Sequence, residues 1–348
     1  MNLQKRIEIH EKKLIILQQK LKLLVIILSL IPGSILKGQD IHFSQYFNSP
    51  LNLNPSLTGD FEGDWRAYGN YRNQWGALAY PFRTFNIGYD RQISIGNQNL
   101  SLGAYVLNDQ SGSVALKCNQ AYLSAAYHRV IDNNTLSGGL QVGYVMKSVN
   151  YDKLAFPADW NGAAFDPSSI NDQLSYLDIN VGFGWRKKIN KFEPEVGLSF
   201  FHINQPSETF YAGGNSSKVP MRSAFNLAVK TELSPTLYVT PGVLLYMMRG
   251  SRNMMLGSQA GLTIPGNRFN VREVYGGLYV RNGIVDPVDA MMVMFGAQFR
   301  KIAVNVSYDL NISSLRTYTN YRGAFELSFV IKSITAVIKT FTLPCERI

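Results

Sequence analysis

Histidine and cysteine are nearly missing: the chain has four histidines and two cysteines in 348 residues. His10, His42, His128 and His202 contain no His-x-x-x-His spacing, and Cys118 and Cys345 form no Cys-x-x-Cys, so a zinc site has no ligand set to start from. The two cysteines lie far apart and read as unrelated thiols. No glycine-rich loop precedes a helical stretch; Gly182-Phe183-Gly184 sits inside an alternating run, where barrel glycines belong. A serine–histidine pairing can be assembled only from Ser124 and His128, and a hydrogen-bonded, lumen-facing histidine is the simpler account. Asp159, Asp166, Asp172 and Asp178 lack the spacing of a calcium loop and read as solvated loop acids. The expectation is a protein that is no enzyme and holds neither metal nor cofactor.

Charge is scarce as well. Charged residues make up 17% of the chain, against roughly 25% in ordinary soluble domains. The formal net charge of +10 suggests a nucleic-acid partner until it is located. Before Gln39, seven Lys and Arg less two Glu account for +5. The remaining cations are scattered, with no basic helix or nucleic-acid-binding motif, which excludes nucleic acid as the partner class. Beyond the N-terminus no apolar run approaches the length of a transmembrane helix, so a membrane could be crossed only by a closed barrel.

The N-terminus reads as a targeting segment. A basic stretch to Lys22 precedes an apolar run over residues 23–36, interrupted by Pro32 and Gly33, and small Gly38 stands before Gln39. Fourteen residues with an internal proline are short for an anchor helix, which needs about 20. Residues 1–38 are therefore assigned to a signal peptide, cleaved near Gly38 and Gln39.

From Trp65 onward, strict alternation takes over. Trp65, Ala67, Gly69 and Tyr71 fall on one side of an extended chain, and Arg66, Tyr68, Asn70 and Arg72 on the other. The pattern recurs in Phe85, Ile87 and Tyr89, in Leu140, Val142 and Tyr144, and in Ile179, Val181 and Phe183 opposite Asp178 and Asn180. Counting such segments gives about fourteen strands, joined by short and long connections mostly in turn. This is the pattern of an all-β, transmembrane antiparallel barrel over residues 64–331, with a C-terminal extension over 332–348. A soluble sandwich also alternates, but has no reason to keep apolar side chains outward in so many long strands. Both ends of the barrel are expected at the periplasmic rim, and inward positions such as Asn180 are expected to tolerate charge. Among the long loops, residues 151–173 carry Pro157, Trp160 and Phe165, whose rings on a loop suggest interaction anchors.

The lead-in over residues 39–63 has neither period. Phe43, Tyr46, Phe47, Leu51, Leu53 and Leu57 are too apolar for a solvated tail, while Pro50 and Pro55 restrict the backbone to turns and extended pieces. The segment is expected to plug or clamp the periplasmic mouth, with Phe43, Tyr46, Phe47, Pro50, Leu53 and Pro55 as plug or partner-binding residues.

The stretches HFSQYFNSPLNLNPSLTG, YRNQW and FNIGYD resemble the opening of the PorP/SprF family of Bacteroidetes outer-membrane proteins. FHINQPSETF, SYDLNISSL and RGAFELSF continue the likeness through most of the chain. The resemblance implies an outer-membrane barrel associated with type IX secretion and gliding motility. Its implied role is to support export or surface attachment of proteins such as adhesins, with periplasmic machinery components and sorting-domain cargo as partners. The alternative that composition alone favours is a general porin or small-solute channel. The apolar stretch 333–343 and the ending Cys345-Glu346-Arg347-Ile348 depart from the Lys-rich, Cys-Pro-Arg-Phe-like end usual in the family.

Overall fold

The computed structural model describes residues 41–76, 81–95, 98–112, 116–150, 171–211, 217–266, 271–283, 288–313 and 316–333. Its strands are β1 (Trp65–Gln74), β2 (Phe82–Ile95), β3 (Gln98–Ser111), β4 (Leu116–Ile131), β5 (Asn134–Ser148), β6 (Gln173–Lys187), β7 (Phe192–Phe201) and the pair β8 (Ser207–Glu208) and β9 (Ser217–Lys218). Then follow β10 (Arg222–Glu232), β11 (Leu237–Met248), β12 (Ser251–Thr263), β13 (Val271–Gly283), β14 (Val288–Phe299), β15 (Ile302–Asn311) and β16 (Arg322–Lys332). All but β8 and β9, which form a separate two-stranded ribbon, pair with their neighbours in a closed antiparallel barrel. The barrel closes because β1 pairs on both sides: Tyr71 stands opposite Phe85 of β2 and Leu327 of β16. Closure leaves no unpaired edge, the condition for strands to survive in lipid.

The wall is polar inside and apolar outside. Arg66, Asn70, Arg72, Asn86, Asp90, Gln141, Asp178, Asn180, Asn305, Asp309 and Glu326 are buried, whereas Ile87, Val106, Leu140, Val142, Leu177, Phe183, Leu256, Leu278 and Phe295 are exposed. Aromatic pairs mark the two ends of β1: Trp65 stacks on Tyr89 at 6.1 Å, and Trp75 meets Phe82 edge-on at 5.1 Å. The ten residues of β1 are the length a tilted strand needs to cross a bilayer.

The two rims differ, though less regularly than alternation suggests. Two-residue turns at Asp132-Asn133 and Asn190-Lys191 use positive φ at Asp132 (53°) and Asn190 (52°), as tight hairpins require. At the opposite rim the 202–221 connection is long, but Arg249-Gly250 joins β11 to β12 in two residues, where a long loop was expected. Gly250, at φ 78°, supplies the backbone conformation that permits it.

Lipid exposure sets a first prediction. Val181 lies on the outward face of β6, opposite Leu140 and Phe200, so Val181→Arg should cost about 2–4 kcal/mol near the bilayer midplane. The neighbouring inward position is not the tolerant one that sequence implied. Asn180 is 1% exposed, donates to Gln141 Oε1 at 3.0 Å and accepts from the His202 N–H at 2.9 Å. Asn180→Arg should therefore also destabilise, by about 1–3 kcal/mol of overpacking. Urea unfolding in lipid vesicles measures both, and a neutral Asn180→Arg would show that the lumen is open there.

Candidate functional site

The lumen is occupied by the chain's own N-terminal segment. Residues 46–58 fold into three successive short helical turns, Tyr46–Asn48, Pro50–Leu53 and Pro55–Leu57. The prolines initiate two of these turns, where a missing N–H costs nothing, and the Asn54 side chain accepts from Ser56 N at 2.9 Å. Of the turns and extended pieces expected around Pro50 and Pro55, turns are what forms, in helical geometry.

Strands from most of the barrel circumference hold this plug. Near the long-loop end, the Glu326 carboxylate accepts the backbone N–H groups of Ser44 (2.6 Å) and Gln45 (2.8 Å). Arg72 pairs with Glu326 at 2.5 Å and Asp309 at 3.1 Å, and Arg281 pairs with Asp309 at 3.1 Å. Two guanidinium groups thus balance two carboxylates out of water, and the Ser44 hydroxyl, donating to Asp309 at 2.7 Å, ties the plug into the cluster. Midway, Asn86 Nδ2 donates to Ser49 Oγ (2.6 Å), Gln141 Nε2 to the Leu51 carbonyl (3.0 Å) and Ser199 Oγ to the Leu53 carbonyl (3.0 Å). Toward the short-turn end, Gly59 N donates to Asp90 at 2.7 Å, and Asp90 also takes Arg66 at 2.6 Å.

The wall is recessed where the plug presses on it. A Cβ at Gly139 would stand 2.3 Å from the Pro55 carbonyl carbon, one at Gly182 1.9 Å from Asn54 Oδ1, and one at Gly197 2.8 Å from Asn54 Nδ2. Gly139 and Gly182 are register partners, so β5, β6 and β7 form a glycine bay for the Asn54-Pro55-Ser56 turn. Sequence reading placed Gly182 in a strand but missed this role.

The lumen is also less polar than alternation implied. Phe43 and Leu51 nucleate one buried cluster with Tyr68, Tyr105, Leu107, Tyr122, Val145 and Tyr176. Tyr46 and Leu53 nucleate another with Leu244, Met255, Tyr279, Met292 and Met294. Phe43, Tyr46, Pro50, Leu53 and Pro55 are buried, and Phe47 is half-buried, packing on Tyr279 at 5.9 Å. All six face the lumen.

The segment's direction departs from expectation. Ile41 accepts a bond from Arg222, at the long-loop end of β10, at 3.4 Å and joins the same buried cluster as Val219, Leu174 and Met248, also at that end, whereas Lys332 closes β16 at the short-turn end. The lead-in therefore runs the length of the lumen before turning into β1, and the described chain begins and ends at opposite rims.

Between the plug and strands β10–β14 a cavity of about 930 Å³ remains, reaching the short-turn rim. Tyr46, Phe47, Leu53 and Leu57 face it from the plug, with Thr240, Gln259 and Tyr279 from the wall. Its mouth carries both signs of charge, including Asp60, Glu193, Lys230, Arg272, Arg300 and Lys332.

The remaining candidates fall outside this arrangement. Ser124 and His128 do not meet: Ser124 Oγ lies 2.5 Å from Thr58 Oγ1, while the His128 nitrogens contact Ser137 Oγ (2.8 Å) and the Thr58 carbonyl (2.7 Å). Asp178 is no solvated loop acid; it is a buried strand residue bonded to the Tyr122 hydroxyl at 2.5 Å and His202 Nδ1 at 2.9 Å. Cys118 is buried, and its Sγ accepts from Gln120 Nε2 at 3.5 Å. Pro157, Trp160 and Phe165, with Asp159, Asp166, the signal-peptide residues and Cys345, lie outside the described residues.

Fourteen closed antiparallel strands, apolar outward and filled inward, define a β-barrel membrane protein of outer-membrane type, plugged by its own lead-in. Its architecture is similar to that of the Ralstonia pickettii toluene transporter TbuX, at 8% identity and TM-score 0.48 over 82% of this chain and 92% of that one. It is similar too to the Pseudomonas putida toluene transporter TodX, at 9% identity and TM-score 0.47 over 82% and 92%. Salmonella typhi OmpF, at 10% identity, gives 0.36 over 77% and 96%. No curated protein matches the sequence. The chain belongs to the family of type IX secretion system membrane proteins PorP/SprF, whose model matches residues 35–331.

Proposed function

We propose that this barrel is a non-catalytic outer-membrane component of the type IX secretion and gliding machinery, supporting export or surface attachment of secreted proteins such as adhesins. Family membership supports the machinery. The observation that favours a docking component over a general porin is the filled lumen. Gln45, Asn54, Ser56 and Thr58 are wholly buried within the barrel, so free diffusion of solutes would require the plug to leave. The short-turn rim, with its mixed charges, is then the periplasmic face offered to machinery components. The opposite rim is then the cell-surface side, and Pro157, Trp160 and Phe165 are the candidates for contact with cargo.

Deleting the gene should remove adhesin from the cell surface, measured by antibody labelling of intact cells, while the wild-type barrel in planar bilayers stays closed. Steady open-channel conductance with unchanged surface adhesin would favour the porin instead. Orientation is tested separately. In a Cys118→Ala, Cys345→Ala background, Asn161→Cys should react with an impermeant thiol reagent on whole cells and Asn133→Cys should not. The reverse pattern would invert the barrel.

A further inference from the structure

The chamber at the short-turn end is built to hold something. It is about 930 Å³, and three buried side-chain atoms of its lining residues, Asn226 Oδ1, Thr240 Oγ1 and Gln259 Oε1, have no hydrogen-bond partner among the described residues. Asn226 is only 5% exposed. Two of the three are acceptors and the third is a hydroxyl, so an occupant that reached them would be favoured by N–H or O–H donors. Its other wall is the apolar side of the plug, with Tyr46, Phe47, Leu53 and Leu57 facing Tyr279. A hydrocarbon would strand the acceptors, and a small anion would leave the apolar wall uncovered. A polypeptide with large apolar side chains satisfies both walls, since its backbone supplies the donors.

The chain itself leads such a segment to the mouth. β16 ends at Lys332, and both Lys332 and Ser333 line the chamber. Ser333 is fixed there: its N–H donates to the Trp65 carbonyl at 2.9 Å, and its Oγ accepts from Asp64 N at 2.6 Å and Trp65 N at 3.1 Å. Beyond it, residues 334–348 read ITAVIKTFTLPCERI, rich in apolar side chains that water does not favour. From Glu273 at the rim to Tyr279 is six residues along β13, about 20 Å of depth. The ten residues 334–343 span up to about 33 Å when extended. A tether this short holds the segment at roughly millimolar effective concentration, ahead of any untethered competitor.

We propose that the C-terminal residues 334–348 fold back into the chamber, with Phe341 and Leu343 against Tyr46, Phe47 and Tyr279, so that the protein's own tail occupies its short-turn face. This occupancy is intrinsic to the single chain and stands whether or not the secretion reading holds.

The test uses the purified full-length barrel in detergent, with Thr240→Cys introduced into the Cys118→Ala, Cys345→Ala background. Its reaction rate with N-ethylmaleimide should rise at least tenfold when the chain is ended at Ser333, and Phe341→Asp in the full-length protein should reproduce most of the rise. With Phe341→Cys paired to Thr240→Cys, oxidation should close an intramolecular disulfide. Heat-modifiable mobility on gels verifies that each variant still forms the barrel. Equal maleimide rates with and without the tail, together with no disulfide, would overturn the proposal. Protection seen only in cell envelopes would overturn it too, assigning the chamber to a separate partner.

Discussion

Arg72→Ala should destabilise the barrel by about 3–5 kcal/mol, the cost of leaving a buried charge without its partner. Arg72 is the only cation paired with Glu326 among the described residues, and its side chain and that of Glu326 are each 3% exposed. Asp309 would keep Arg281 at 3.1 Å, but Glu326 would retain only the two plug N–H groups and no countercharge. The loss should appear as a lower urea midpoint in vesicles and as unfolding at lower temperature on gels. Replacing both partners, as in Arg72→Leu with Glu326→Leu, should be milder than Arg72→Ala alone, because no charge is then stranded. A double variant as unstable as the sum of its singles would show that the two residues act independently. The cluster also governs the plug, since Glu326 grips two consecutive amides of residues 44–45. Arg72→Ala should therefore loosen the lead-in before the wall fails.

Gly182→Val should open the lumen. Its Cβ would stand 1.9 Å from Asn54 Oδ1 and 3.0 Å from Ser56 N, inside the turn that the glycine bay receives. Real Cβ contacts do not become that short, so the turn must withdraw, and with it the bonds from Asn54 to Phe183 and from Gln141 to Leu51. Planar bilayers should show discrete conductance steps absent from wild type, with heat-modifiable mobility retained. Deleting residues 40–57 should give the same conductance. Gly138→Val is the control: a Cβ there meets nothing within 4 Å, so it should leave the lumen closed. If Gly182→Val and the deletion both remain non-conducting, the plug is not what seals the barrel.

Much of this architecture was legible before any coordinate. Trp65, Ala67, Gly69 and Tyr71 face outward, and Arg66, Tyr68, Asn70 and Arg72 inward, as the alternation requires, and the strand count agrees. The apolar lead-in residues were recognisable as needing a surface. What alternation misjudged was the nature of the inside. It treats an inward position as wet, and so predicts tolerance at Asn180, while Asp178 is grouped by sequence with the solvated loop acids. Both are sealed, because the plug brings its own apolar side chains and converts the lumen into a packed core. The plug's course was equally hidden. A periplasmic mouth is where a segment preceding the first strand is expected, yet Ile41 lies at the far rim.

The sequence alone determined that this chain forms a closed barrel with apolar outward positions. Period-two patterning depends only on which side of a strand meets lipid, and each strand declares that for itself. Only the tertiary structure decided what fills the barrel. The Gln45 amide meets Glu326 across 281 positions of sequence, and the Asn54 amide meets the Phe183 carbonyl across 129. Such pairings exist only after closure has brought distant strands around one short segment, and no local pattern along the chain encodes them.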